Sequence, residues 1–159
     1  MAPSKSTRRV IAALRAHGLD ADVREMPGST RTAEDAAAAI GCEVAQIVKS
    51  LLFVGGDGRA HLVLASGPNR VDPARLSGHL GSHATLADPA TVRDVTGFAI
   101  GGVAPLGLAS EVPVLMDEDL LRYDTVWSAA GTPRSVFPVA PGALRDAAGA
   151  TVTRVVGDG

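Results

Sequence analysis

Two apolar runs joined by a very short glycine-rich turn constrain this chain most. Ile47 to Val54 reads IVKSLLFV, Gly55-Gly56-Asp57-Gly58 follows, and Ala60 to Ala65 reads AHLVLA. The composition of both runs and the glycines between them predict an antiparallel β-hairpin. A hairpin rules out a purely parallel, doubly wound sheet. The rest of the chain alternates short helical and extended segments, so the expectation is a mixed sheet with helices packed on it. One residue is out of place: Lys49 stands inside the first apolar run. A lysine facing a core is costly unless its charge meets a partner. It can leave the strand along an edge, or it can line a pocket.

The remaining elements follow from local signals. Ser6 to Ala16 is predicted helical, with Val10, Ile11 and Leu14 on one face and Gly18 at the stop. Asp22 to Met26 reads as a short strand ending at Pro27. Thr32 is placed to cap the helix TAEDAAAAIG, with Glu34 and Asp35 in its first turn and Gly41 at its end. Glu43 to Gln46 makes a further helical turn. Asp72-Pro73 and Asp88-Pro89 each supply an N-cap and an N1 proline, for helices ending near Gly81 and Gly97. Val112 to Met116 is a strand, and Pro113 predicts that it lies at an edge. Glu118 to Leu121 is a helical turn that explains the acidic run Asp117-Glu118-Asp119. Strands at Thr125–Ser128 and Ser135–Val139 flank Gly131-Thr132-Pro133, and a helix at Pro141–Ala147 and a strand at Thr151–Val156 complete the chain. No linker or charge block divides it, so residues 1–159 are expected to form one domain.

Apolar residues make up 46% but aromatic ones only 3%, so the core must be built from Val, Leu, Ile and Ala. A net charge of −2 argues against indiscriminate nucleic-acid binding, which shows a strong basic excess. Any contact with phosphate must come from a local patch, and Lys5, Arg8 and Arg9 on the first helix, with Arg31, are the candidates. Cys42 is the sole cysteine. It allows no internal disulfide, reads as a structural side chain, and fits a reducing cytoplasm. No apolar run approaches the ~18 residues of a membrane span, and MAPSKSTRRV lacks the apolar stretch of a signal peptide. The expectation is a soluble, cytoplasmic protein.

Two motifs carry the candidate chemistry. The first is Lys49, whose ammonium can hold a phosphate or carbonyl oxygen. Ser50 follows it, but strand neighbours point to opposite faces, so the two are not expected to act as a pair. The second is AIGGVAPLG, Ala99 to Gly107, with Gly101, Gly102, Pro105 and Gly107. Such a loop lets a ligand approach the backbone and presents N–H groups to an anion or oxyanion. It is not a phosphate-binding P-loop, because no Gly-Lys-Ser/Thr follows. His17, His61, His79 and His83 show no metal-ligand spacing, and no Ser/His/Asp or Cys/His arrangement stands out. Chemistry at such a site would rest on positioning and backbone donors.

RTAEDAAAAIG, VKSLLFV, GFAIGGVAPLG and VWSAAGT occur in an order and spacing that resembles the YbaK/EbsC-type aminoacyl-tRNA deacylases, freestanding relatives of the prolyl-tRNA synthetase editing domain. The resemblance runs from about Val10 to Val156. It implies an α/β fold with a mixed, partly barrel-like sheet surrounded by short helices. It implies hydrolysis of the ester between a wrongly attached amino acid and a tRNA 3′ end, with tRNA-Pro carrying Ala, 2-aminobutyrate, Ser or Cys as the expected substrate. The implied catalytic positions are Lys49, Gly101, Gly102 and Pro105. Substrate contacts are expected from Arg31, Thr32 and Ser50. Leu51, Phe53, Val103 and Leu106 are candidate walls because they flank the motifs. The resemblance implies no metal and no cofactor, help from the terminal ribose hydroxyl in activating water, and prolyl-tRNA synthetase as a possible partner. Ala104 stands where many relatives carry Ser, and Ser135–Val139 lacks the acid of cysteine-removing relatives and the histidine of alanine-removing ones, so the amino acid stays open. A noncatalytic tRNA or small-ligand binding module on the same fold, and a small-molecule hydrolase, are the alternatives.

Overall fold

The computed structural model describes residues 3–28, 30 and 32–157. Capping fixes most of its helices. Helix α1 (Lys5–Ala16) starts where the Ser4 hydroxyl accepts the Thr7 N–H at 3.1 Å, and it buries Thr7, Val10 and Leu14. After a two-residue strand β1 (Arg24–Glu25), Thr32 accepts the Asp35 N–H at 3.0 Å and opens α2 (Ala33–Ile40). The hairpin follows as β2 (Ile47–Val54) and β3 (Ala60–Ser66), in the register Lys49↔Ala65 and Val54↔Ala60. Asp72 and Asp88 cap α3 (Pro73–Leu80) and α4 (Pro89–Thr96), on either side of the short strand β4 (Thr85–Leu86). The chain ends with β5 (Val114–Asp117), β6 (Val126–Ala129), β7 (Ser135–Val139), α5 (Pro141–Ala148) and β8 (Thr151–Thr153).

The eight strands form one mixed sheet in the order β1-β7-β6-β2-β3-β5-β8, with β4 also paired to β2. Its two end strands are not paired to each other, so the sheet is partly barrel-like and open. Two expectations need correction. Strand β5 is internal, held in parallel by β3 and β8, so Pro113 does not mark an edge. The proline sits just before the strand and takes part through its carbonyl, which accepts the Leu62 N–H at 2.9 Å. Strand β8 stops at Thr153 because the chain turns to α3, where the Val155 carbonyl accepts the Asp72 N–H at 2.9 Å.

The pairing of β2 creates the site. On one side it pairs with β3 along its length. On the other it runs parallel to β6 only at Ile47 and Val48, then antiparallel to β4 at Phe53 and Val54. Between those two pairings the sheet splits. The faces of β2 serve different cores: Val48 and Leu52 pack with Val10, Leu14, Phe98 and Phe137, whereas Phe53 packs with Val63, Val71 and Leu76.

Candidate functional site

A cleft of about 610 Å³ occupies the split in the sheet, within the usual range for small-ligand sites. Because β2 has an open edge there, side chains from both of its faces reach the cleft. Lys49 and Ser50 therefore both line it, although strand alternation points them apart. The lining also includes Ile100, Gly101 and Val103 of the glycine-rich loop, Thr30 and Thr32 before α2, and Trp127 and Ser128 of β6.

Lys49 is held from behind. Its Nζ donates to the Asn69 carbonyl at 2.5 Å. The Asn69 side chain is fixed in turn, donating to Asp117 Oδ2 and Asp119 Oδ2 at 2.7 Å each. Asp117 is fully buried, also accepts the Ser66 N–H at 3.0 Å, and caps the following turn through the Asp119 N–H at 3.0 Å. The acidic run is thus a helix cap that also anchors the loop carrying the lysine's partner. Burial pushes the Lys49 pKa below the ordinary lysine value, Glu34 and Asp117 oppose that shift, and Arg70 adds to it. No carboxylate pairs directly with Lys49 among the described residues, and Lys49 lines the cleft.

The glycine loop has two roles. Gly101 has φ +91°, a conformation that L side chains rarely adopt, and it lines the cleft. Gly102 lets the loop press on the turn after β6: a Cβ there would stand 2.8 Å from Thr132 Cα and 3.0 Å from the Gly131 carbonyl carbon. Arg9 braces the loop from outside. Its guanidinium donates to the carbonyls of Thr96, Gly97 and Gly107 and lies 4.8 Å from the Phe98 ring centroid. Arg9 is therefore committed to the fold, which removes it from the phosphate-binding patch expected of α1; Lys5 and Arg8 remain exposed there.

The structure brings Lys49, Ser50, Leu51, Thr32, Gly101 and Val103 together around the cleft. Gly102 packs behind it. Pro105 and Leu106 border a separate shallow depression with His17 and Ala147. Phe53 is buried in the second core, because it lies within the β4 pairing that closes the split. Arg31 lies outside the described residues. Sequence reasoning missed Asn69, Glu34 and Trp127 as cleft or support residues. The VWSAAGT motif pointed toward Trp127, and the Lys49↔Ala65 register brings the loop after β3 back beside Lys49. Glu34 is the one carboxylic acid on the cleft wall among the described residues. Burial pushes the Cys42 thiol up, which makes it a poor nucleophile. No group of three His, Cys, Asp or Glu residues is placed to hold a metal ion among the described residues, and no helix is long and apolar enough to cross a membrane.

This cleft offers one ammonium, a glycine turn and a few hydroxyls, which suits a polar ligand. Comparison with known proteins points the same way. The profile of the aminoacyl-tRNA editing domain matches residues 28–147. The uncharacterised protein YwhH of Bacillus subtilis (strain 168) is 36% identical over 125 residues, covering 79% of this chain and 80% of that protein. The proline--tRNA ligase of Geobacter sp. (strain M21) is 36% identical over 110 residues, which are 67% of this chain but only 19% of the ligase. The crystal structure of a candidate trans-editing enzyme for prolyl tRNA synthetase superposes with a TM-score of 0.92 at 48% identity, over 98% of this chain and 99% of that one. By the span of these matches, the chain belongs to the aminoacyl-tRNA editing domain family.

Proposed function

We propose that this chain is a freestanding deacylase that hydrolyses the ester joining a wrongly attached small amino acid to the 3′ end of a tRNA, with tRNA-Pro as the expected body. The observation that carries this reading is Lys49, fixed by Asn69 at the split in the sheet and lining the same cleft as Gly101. In the reaction, water oxygen bonds to the acyl carbon, the ester C–O bond breaks, and the ribose hydroxyl and the free amino acid leave. The Lys49 ammonium steadies a substrate oxygen as charge builds on it, and the Gly101 N–H is the second source of stabilisation, since the Gly102 N–H is committed to the Ala99 carbonyl at 2.9 Å. The cleft presents no imidazole or thiol among the described residues, so activation of water falls to positioning and to the neighbouring ribose hydroxyl of the substrate, as the family resemblance implies. Lys49, Gly101 and Thr32 are the residues assigned to the reacting end, with Leu51 and Val103 as walls. Gly102 supports the loop. Prolyl-tRNA synthetase is the proposed source of the mischarged substrate, and the cytoplasm the proposed compartment.

The test is a panel of tRNA-Pro carrying Ala, 2-aminobutyrate, Ser, Cys or Pro, with release measured against the uncatalysed rate. The reading expects release of at least one small amino acid and sparing of Pro. Binding of the panel without release of any member would overturn it in favour of a noncatalytic module.

A further inference from the structure

The turn from Gly131 to Ser135 supports two of the segments that line the cleft. On one flank it meets the glycine-rich loop, where a Cβ on Gly102 would stand 2.8 Å from Thr132 Cα. On the other it holds the chain that leads into α2. The Thr30 N–H and hydroxyl both donate to the Pro133 carbonyl at 2.6 Å, and the Met26 N–H donates to the Arg134 carbonyl at 2.7 Å. Thr30 lines the cleft, as does Gly101 beside Gly102.

A relay of hydroxyls locks this turn. Ser135 is fully buried, and its hydroxyl donates to Glu25 Oε1 on β1 at 2.9 Å. A carboxylate only accepts, and Ser135 has one proton to give. The Thr132 hydroxyl, 2.6 Å from Ser135 Oγ, is therefore the donor of that pair. The relay runs from Thr132 through Ser135 and ends on the charge of Glu25, which strengthens its last hydrogen bond. Among the described residues that line the cleft, none is Glu25, Thr132 or Ser135.

We infer that Glu25 and Ser135 are positioning residues for ester hydrolysis: by locking the Gly131–Ser135 turn they fix Gly101 and Thr30 relative to each other. This rests on the deacylase reading above. Neither residue touches the substrate, so their loss falls on the chemical step rather than on binding. Misplacing a group at the reacting end by about 1 Å can cost about 10²-fold in rate.

Glu25→Leu removes the acceptor at similar size, whereas Glu25→Gln keeps an oxygen for the Ser135 hydroxyl. The substrate is the small-amino-acid ester of tRNA-Pro that the wild type releases fastest. Single-turnover release at rising enzyme concentration separates the saturating rate from the half-saturating concentration. Glu25→Leu and Ser135→Ala should each lower the saturating rate about tenfold. The double variant should fall within about threefold of the slower single one, because both act through one relay. Glu25→Gln should stay within about threefold of wild type, and half-saturation within about twofold throughout. Hydrogen exchange needs no turnover: in Glu25→Leu the Thr30 N–H should gain about tenfold in exchange rate over the Leu62 N–H, which pairs elsewhere with Pro113. A Glu25→Leu saturating rate within about twofold of wild type, a Gln loss as large as the Leu loss, a change confined to half-saturation, or equal gains in exchange at Thr30 and Leu62 would each overturn the inference. Release of no ester by the wild type would overturn the deacylase reading itself, a result that the exchange comparison keeps apart from failure of the lock.

Discussion

Asn69 is where stability and site geometry meet, so Asn69→Asp is the most telling perturbation of the scaffold. The amide nitrogen bridges Asp117 and Asp119 at 2.7 Å each, and the backbone carbonyl of the same residue holds Lys49. Asn69→Ala removes two hydrogen bonds to charged acceptors, at about 1.5–3 kcal/mol each. The total is smaller than that sum, because Asp119 keeps Arg122 at 3.1 Å and access to water, so about 2–4 kcal/mol is expected. Asn69→Asp has nearly the same shape but puts a third carboxylate against the fully buried Asp117. Its cost at pH 7 is about 3–5 kcal/mol, as for an uncompensated buried charge. Like charges raise the folded-state pKa of one acid above its unfolded value. Stability from such a group is present at low pH and is lost as pH rises through the raised pKa, so the deficit of the Asp variant should shrink from pH 7 to pH 5. Urea unfolding of wild type and both variants at the two pH values measures this. An Asp variant within 1 kcal/mol of wild type at pH 7, or a deficit unchanged at pH 5, refutes the bridge.

Three further outcomes are expected. Burial holds the Lys49 pKa below the ordinary lysine value, so activity that needs its ammonium should decline with rising pH below that value. Lys49→Arg should move the decline to higher pH, and initial rates corrected for spontaneous ester hydrolysis would expose an unmoved limb. Gly102→Ala should cost about 1–3 kcal/mol, because its Cβ would meet backbone rather than a yielding side chain; a thermal melt indistinguishable from wild type contradicts that packing. Arg9→Met should cost about 2–3 kcal/mol by releasing the carbonyls of Thr96, Gly97 and Gly107. A loss under about 0.5 kcal/mol in urea unfolding would mean that Arg9 does not brace the loop.

What the sequence disclosed was local. Thr32, Asp72 and Asp88 announce their helices because each cap bonds a backbone N–H two or three residues away. The hairpin is legible because its turn and both strands are contiguous. The split in the sheet is not, since it depends on β6 and β4, which meet β2 from distant parts of the chain. That is why Lys49 and Ser50 share a cleft against strand alternation, and why Phe53, three residues past Ser50, does not. Pro113 misled because a proline before an internal strand can still pair through its carbonyl. Arg9 looked like a surface cation because its three carbonyl partners lie some ninety residues away in the chain.

The central claim is that the charge on Lys49, presented at the split in the sheet, drives release of the amino acid. Single-turnover deacylation of mischarged tRNA-Pro by wild type and Lys49→Ala tests it most directly, with circular dichroism showing both proteins folded. Losing one charged contact to the reacting end, worth about 1.5–3 kcal/mol, predicts a rate about 10–150-fold lower. A folded Lys49→Ala protein that keeps its rate within twofold of wild type would contradict the account.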